Sequence, residues 1–511
     1  MIKIRYNSTF SILNFALLLM LLIFMQSCST SSKTATLSGS VILNNDTGNS
    51  ALDPADYSGV TVALYHPAEL DEDIRAVNLS HPNLGVIITQ QTEFDHRLQS
   101  PYKTAVTAGD GSFALKGIKP GTYNLVVMKQ GWGVRYLYNV SITEGDNSLA
   151  GKGIDVSRNG VELYPALELS GLNAEVYEFK SQHSYLVTDD VTYASGLTFS
   201  PGTYVWIAPD KKITVYGSAA TPPEDSEWVR VTSSDRMYET TAVAPSGLSR
   251  CYNISFANQV QFEQNRICSF LITFSKFGLS VKSPDLSIFN LVIRYCRQGL
   301  SIEQTGGITV AQCNVSRTDD VDLGGITYSN GWDISTGNLI VMNCTTGIRQ
   351  LSNDNADISN CYFKNNSNRD IYNLYDNTGS ITHCTFINSN TAIYTSGKSD
   401  ADIQYCDIDA VIGIDNRIQP NWAQSWFTAN YNNLNCSQIA VRTQALFYSA
   451  YYFDATNNYW GTTNAATIYG DLIWDRTDED PNNEDYYRMW GIINYSPYRV
   501  SRVQTAGVTA D

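Results

Sequence analysis

Cys361-Tyr362-Phe363, Cys384-Thr385-Phe386 and Cys406-Asp407-Ile408 are three copies of one short pattern, set at a nearly constant interval. The first position is Cys, Leu or Phe, and the third is Phe, Ile or Val. Working outward, the pattern starts at Leu339, Cys313, Leu291 and Phe270 on one side, and Asn432 and Asn458 continue it on the other. Each start is followed by a second short strand led by Gly or Ala and then Ile or Leu. Examples are Gly278-Leu279, Gly299-Leu300, Gly325-Ile326, Gly347-Ile348, Ala392-Ile393 and Gly413-Ile414, with Asp370-Ile371 as a variant. The mean step between starts is roughly 23 residues, and a period of this size with two or three strands per winding is that of a solenoid. Strands about 4.8 Å apart in register stack identical inward positions over one another. The cysteines then form an interior file. Asn432 and Asn458 either line the interior as an amide ladder or mark a change of coil. Leucine-rich repeats share the period, but their Leu-x-x-Leu-x-Leu pattern is absent.

The flanks extend this reading. Tyr185-Leu186-Val187-Thr188-Asp189-Asp190-Val191-Thr192 leads into Gly196-Leu197-Thr198-Phe199-Ser200-Pro201-Gly202-Thr203. Lys212-Ile213-Thr214-Val215-Tyr216-Gly217 then leads into Trp228-Val229-Arg230-Val231-Thr232-Ser233-Ser234. The end carries Asn457-Asn458-Tyr459-Trp460-Gly461 and Tyr495-Ser496-Pro497. These stretches resemble the first turns and the closing element of the right-handed parallel β-helix family. The resemblance implies a coil over 185–505. At the mean step it has ~13 turns and a length of roughly 60 Å. Residues 149–184 read as a linker and N-terminal cap.

Residues 36–148 alternate with period two. Val60, Val62 and Leu64 mark one strand, Phe113 and Leu115 another, and Tyr123, Leu125 and Val127 a third. Gly109-Asp110-Gly111 and Lys119-Pro120-Gly121-Thr122 are turn signals. With Gly39-x-Val41, Gly59-Val60 and Gly131-Trp132, these elements resemble the carboxypeptidase regulatory-like family, a transthyretin-like sandwich. Such modules carry no catalytic residues and act as spacers or interaction domains. The stretch from His66 to Lys103 departs from that pattern as a long acidic insertion. Its His66, His81 and His96 are expected to be solvated loop residues, with a metal site as the alternative. The fold class is therefore all-β: a right-handed parallel β-helix preceded by a small β-sandwich.

Lys3 and Arg5 precede an unbroken apolar run from Phe15 to Met25, the length of a signal-peptide core and short of a membrane span. Gln26-Ser27-Cys28 and the polar stretch after it resemble a bacterial lipobox and tether, although Met25 and Gln26 depart from the usual residues. The resemblance implies a signal peptide over 1–27, lipidation of Cys28, a tether over 28–35 and attachment to the cell envelope, at the outer membrane. Nine cysteines remain after Cys28, none in CxxC pairs, so zinc is not expected. They read as stacked free thiols, with disulfides as the alternative that export permits. Lys and Arg number 34 against 50 Asp and Glu, a net charge of −16 that argues against nucleic acid as a partner.

The chemistry is less legible than the architecture. Right-handed β-helices host lyases, hydrolases, epimerases and adhesins, so fold alone decides nothing. Glycoside hydrolysis needs two carboxylates flanking the bond. Asp319, Asp320 and Asp322 are the weak candidates here. The Asn-Thr-Asp, Gly-His-Gly and Arg-x-Lys sets of the polygalacturonase-like enzymes do not accompany them. The same three residues are the one calcium alternative through oxygen ligands; otherwise no cofactor is expected. His383, beside Cys384, reads as a packed or turn residue. Arg294, Arg297 and Arg349 are candidates to meet an acidic glycan. If the isoleucines of the second strand point inward, the next residues point outward. That column is Thr327, Arg349, Tyr372, Tyr394 and Asp415. Two stacked tyrosines between an Arg and an Asp suit sugar rings, and sheet stabilisation is the plain alternative. The expected function is glycan or surface-partner binding without catalysis. The alternative is a polysaccharide lyase or glycoside hydrolase using a side groove.

Overall fold

Two four-stranded sheets precede a long parallel coil. The computed structural model describes residues 34–509 apart from 151, 153–159, 240–247, 249, 253, 321–323, 352–354, 375–377, 397–399, 418–425, 445–450 and 479–490. The signal peptide, Cys28 and Asp322 lie outside the described residues. In the first sheet Ala35–Leu43 pairs antiparallel with Ser112–Ile118 and parallel with Gly145–Ser148 and Gly160–Leu163. The second sheet orders Lys103–Val106, Thr61–Tyr65, Gly121–Lys129 and Gly133–Ile142, all antiparallel. Val60, Val62, Leu64, Phe113, Leu115, Tyr123, Leu125 and Val127 are buried in one shared core. The alternation read in the sequence is the side of each strand that faces this core; Ala63, Tyr65, Val126 and Met128, on the other side of two of the strands, are buried against Tyr204 and Trp206 of the coil. Gly111 turns at φ +82°, where a Cβ would lie 2.2 Å from the Val41 carbonyl oxygen, so only glycine fits.

The coil is a parallel β-solenoid of about 11 turns over residues 167–454. Fewer turns form than the mean step predicts because the flanking windings are longer. Val229 lies beside Phe270, and Val441 beside Ile473, each a wider step in the chain than that from Cys361 to Cys384. The stretch 149–184 contributes Gly160–Leu163 to the first sheet and Leu167–Asn173 to the first turn, where it pairs with Ser184–Tyr193.

The interior files follow the pattern. Phe270 pairs with Leu291, Leu291 with Cys313 and Cys313 with Leu339. Cys361, Cys384 and Cys406 continue the file, all fully buried. Thr385 N–H donates to the Cys361 carbonyl and Asp407 N–H to that of Cys384, each at 2.9 Å. Asn432 and Asn458 form the amide ladder: Cys406 N–H donates to Asn432 Oδ1 and Asn432 N–H to Asn458 Oδ1, both at 2.8 Å. The amides satisfy backbone groups at corners where the sheet ladder is interrupted. The residue before each start turns the corner. Ser269, Asn290, Gln312, Asn338, Asn360, His383, Tyr405, Tyr431 and Asn457 all have φ between 48° and 61°. Asn recurs because it tolerates the left-handed region better than other side chains. His383 is thus a corner residue, stacked on Tyr405 at 5.1 Å, and Tyr405 stacks on Tyr431 at 5.4 Å.

The cysteines from Cys251 to Cys436 are free thiols, eight of them buried. Burial pushes Cys251 up to about 11 and Cys296 and Cys313 up to about 12. Thiol reagents act on the thiolate. A chain beginning after Cys28 should therefore react with Ellman's reagent at no more than one thiol, Cys436, while folded. All nine should titrate in urea. Rapid reaction of several thiols in the native state would contradict the stacked interior.

The acidic insertion is not a solvated loop. Its helix Glu72–Ser80 and the segment after it lay Ile74, Val77, Leu84 and Ile88 on the outward residues Leu271, Val292, Ile340, Met342 and Tyr362 of the coil. Glu93 pairs with Arg294 in the buried part of the contact, and Asp71 with Arg317 and Asp73 with Lys364 at its rim. His96 is buried. Its Nδ1 accepts from the Tyr136 hydroxyl at 2.6 Å and its Nε2 donates to the Met237 carbonyl at 3.0 Å. Burial lowers its pKa to about 4 against the opposing pull of Asp95, so it is neutral. His81 packs on Tyr362 at 4.7 Å, and only His66 is exposed. The C-terminal tail covers the next turns of the same face. Arg502 pairs with Asp407, Val503 exchanges hydrogen bonds with Asn433, and Val508 N–H donates to Thr385 Oγ1.

Candidate functional site

The insertion and the tail close one face of the coil, which leaves the outward side chains of the other faces to meet a ligand. On one of these the second strands of successive turns stand in register. Thr327 lies beside Arg349, Arg349 beside Tyr372, Tyr372 beside Tyr394, and Tyr394 beside Asp415. This is the column expected from the sequence. It continues through Arg442 to Trp474. Local packing fixes it. Ile326, Ile348, Ile371, Ile393 and Ile414 are fully buried, so the residue after each points out. The small residue before most of these isoleucines lets neighbouring turns approach. A Cβ at Gly347 would lie 2.5 Å from the Asp370 carbonyl oxygen.

The two tyrosine rings are 5.1 Å apart and meet edge to face at 79°, so they do not form one flat platform. The Arg369 guanidinium lies 4.0 Å from the Tyr372 ring centre and 3.8 Å from that of Tyr394. Arg349 lies 5.4 Å from Tyr372. Burial raises the Tyr394 hydroxyl above its ordinary range, opposed by Arg369, so the phenol is a neutral donor at physiological pH. Asp415 is buried and accepts from Arg417 Nε at 3.1 Å and from Arg442 Nε at 2.8 Å. Toward the amino-terminal end of the same face lies an open depression lined by Phe277, Ser301, Glu303, Thr327, Ser329 and Leu351 among others. There Glu303 accepts from Ser301 and pairs with Lys282.

The other sequence candidates sit elsewhere. Asp319 holds Arg250 through both oxygens, at 2.7 and 2.6 Å, and those hydrogen bonds keep its carboxyl below the usual range. Asp320 is buried and accepts from Arg297 Nε at 2.6 Å. Both carboxylates and Arg297 are therefore engaged in ion pairs. Arg294 is buried beneath the insertion and paired with Glu93. Among the described residues no three His, Cys, Asp or Glu side chains converge to hold a metal, and no helix is long and apolar enough to cross a membrane. Sequence reasoning missed Arg369, Arg417, Arg442 and Trp474. Carrying the column one winding beyond Asp415 would have found Arg442. Arg369 starts at a corner and leans over its neighbours, which no outward file reveals.

Comparison with protein families, with curated proteins and with solved structures yields no match to this chain.

Proposed function

We propose that this chain is a bacterial envelope lipoprotein, anchored by lipid on Cys28, whose solenoid binds a glycan on its open face without turning it over. In this reading the coil is a right-handed parallel β-helix and the paired sheets are a carboxypeptidase regulatory-like module beside it. The observation that carries the reading is the column Arg349, Tyr372, Tyr394 and Asp415, half-exposed at Arg349 and Tyr372 and at Tyr394 and buried at Asp415. Sugars offer C–H faces to aromatic rings and hydroxyls to charged groups. This column places both kinds of partner on a rigid scaffold. The absence of catalysis is supported by Asp319 and Asp320, each tied to an arginine.

Tyr372→Ala and Tyr394→Ala are expected to weaken glycan binding by about tenfold or more each, on the scale of about 1–2 kcal/mol for a lost aromatic contact. A glycan array followed by titration of its hits measures this. The melting temperature shows that each variant folds. Unchanged affinity in both variants overturns the site. Reproducible release of new reducing ends or unsaturated sugars, abolished in Asp319→Asn or Asp320→Asn, overturns the non-enzymatic reading.

A further inference from the structure

Resting on that reading, we propose that the open face takes an acidic polysaccharide laid along the coil axis, one sugar residue per turn, with its negative groups on Arg369 and Arg417. The first argument is charge. The chain carries a net −16, yet along this column four guanidinium groups, from Arg349, Arg369, Arg417 and Arg442, stand with one carboxylate among the described residues of the column. That carboxylate, Asp415, is shared by Arg417 and Arg442, which leaves one positive charge in excess at that end. Arg369 has no ion-pair partner among the described residues. It is held by the faces of two tyrosines. A guanidinium held over ring faces keeps its charge and can still donate to a carboxylate through the N–H groups directed away from the rings.

The second argument is spacing. The backbones of Arg369 and Arg417 lie on different lines of the ladder, but the Arg369 guanidinium leans over the rings of Tyr372 and Tyr394 and that of Arg417 bends back to Asp415, so both heads reach the column, on successive windings about 4.8 Å apart. From Arg349 to Trp474 the column spans five ladder steps, or ~24 Å. The rise per turn is close to the advance of one residue in an extended pyranose chain. A polymer parallel to the axis therefore meets equivalent positions on each winding, and one crossing the axis meets only one or two. A neutral glycan would offer Arg369 hydroxyl acceptors but no negative charge to match its own.

The test is titration of the full chain with three uronate probes of increasing length, namely oligogalacturonate, alginate and hyaluronan oligomers, each beside its carboxyl-reduced form. Affinity for at least one acidic series should rise with length to about five residues and then level off. It should fall more than tenfold on carboxyl reduction, and about tenfold in Arg369→Gln and in Arg417→Gln. Both side chains are partly exposed, so unchanged melting temperatures show that the variants fold. Equal affinity for reduced and acidic forms overturns the acidic assignment and leaves the glycan face standing. Affinity independent of length overturns the axial placement. No saturable binding of any probe, acidic or reduced, together with a blank glycan array, overturns both this proposal and the reading beneath it.

Discussion

Arg97→Leu is expected to cost about 3–5 kcal/mol of stability, the range for breaking a buried ion pair from one side. Arg97 is the pin between the insertion and the coil. Its guanidinium bonds both oxygens of Asp95 and reaches the Ser233 carbonyl, the Asp235 carbonyl at 3.1 Å and Thr232 Oγ1 at 2.9 Å. Trp206 lies beneath it at 4.9 Å. Leucine fills much of the volume but leaves the Asp95 carboxylate with only the backbone N–H of residue 97, and strips the Ser233 and Asp235 carbonyls of the guanidinium. Burial by itself raises the pKa of Asp95, and the adjoining guanidinium reverses this and holds the carboxyl down to about 2. In the parent the stability from Asp95 is present above its unfolded value near 4 and is lost as pH falls toward 2. In the variant burial is opposed by little more than that one backbone hydrogen bond, so the carboxylate opposes folding at neutral pH and is relieved on protonation. Urea unfolding should therefore show a larger difference between parent and variant at pH 7 than at pH 3. A difference below about 1 kcal/mol at pH 7 would mean that the insertion is not pinned at this point.

Asp370→Asn is expected to act in the opposite direction. Asp370 occupies the corner position that is Gly278, Gly299, Gly325, Gly347 and Gly413 in other turns, and it is fully buried. Its Oδ1 accepts from Asn366 Nδ2 at 2.7 Å and from Ser389 Oγ at 2.8 Å, while Oδ2 has no partner among the described residues. Burial lifts the carboxyl to about 8, and those two hydrogen bonds oppose the rise only in part. The folded acid keeps its proton to about pH 8, whereas the unfolded one loses it near pH 4. The stability this site contributes is thus fully present below pH 4 and is lost as pH rises through 8. A shift of this size corresponds to roughly 5 kcal/mol across the window. Asparagine keeps the acceptor, cannot ionise, and places an N–H where the acid carries its O–H. The variant should match the parent near pH 4 and exceed it by several kcal/mol above pH 8. Thermal melts from pH 4 to 9 measure this. Parallel curves for parent and variant would rule out a buried neutral acid.

The files were legible because the inward residue recurs with the winding, and the winding is set by its corners. Cys361, Cys384 and Cys406 align on spacing alone, and the outward column Arg349, Tyr372, Tyr394 and Asp415 followed from alternation. The packing of the insertion on the coil was not legible. Ile74, Val77, Leu84 and Ile88 show that the insertion has an apolar side, but nothing local tells which distant surface receives it. His96 therefore read as a solvated residue, although it lies at a junction assembled from His96, Tyr136 and Met237. The same blindness affected Arg294, whose partner Glu93 belongs to the insertion, far earlier in the chain. The turn count failed where windings carry long excursions, since a mean step holds only where each turn is built alike. Arg369 escaped because its side chain crosses between turns, whereas alternation describes only where a side chain leaves the backbone.

The closure of one face by both the insertion and the tail bears on the order of assembly. A chain that emerges from its amino end delivers residues 66–103 long before the windings they cover, and delivers 502–509 after them. Each new winding can settle against a surface already waiting for it. The last turns of that face stay open until residues 502–509 arrive. The docking of that segment, and not the completion of any single winding, is the moment at which this side of the coil is sealed.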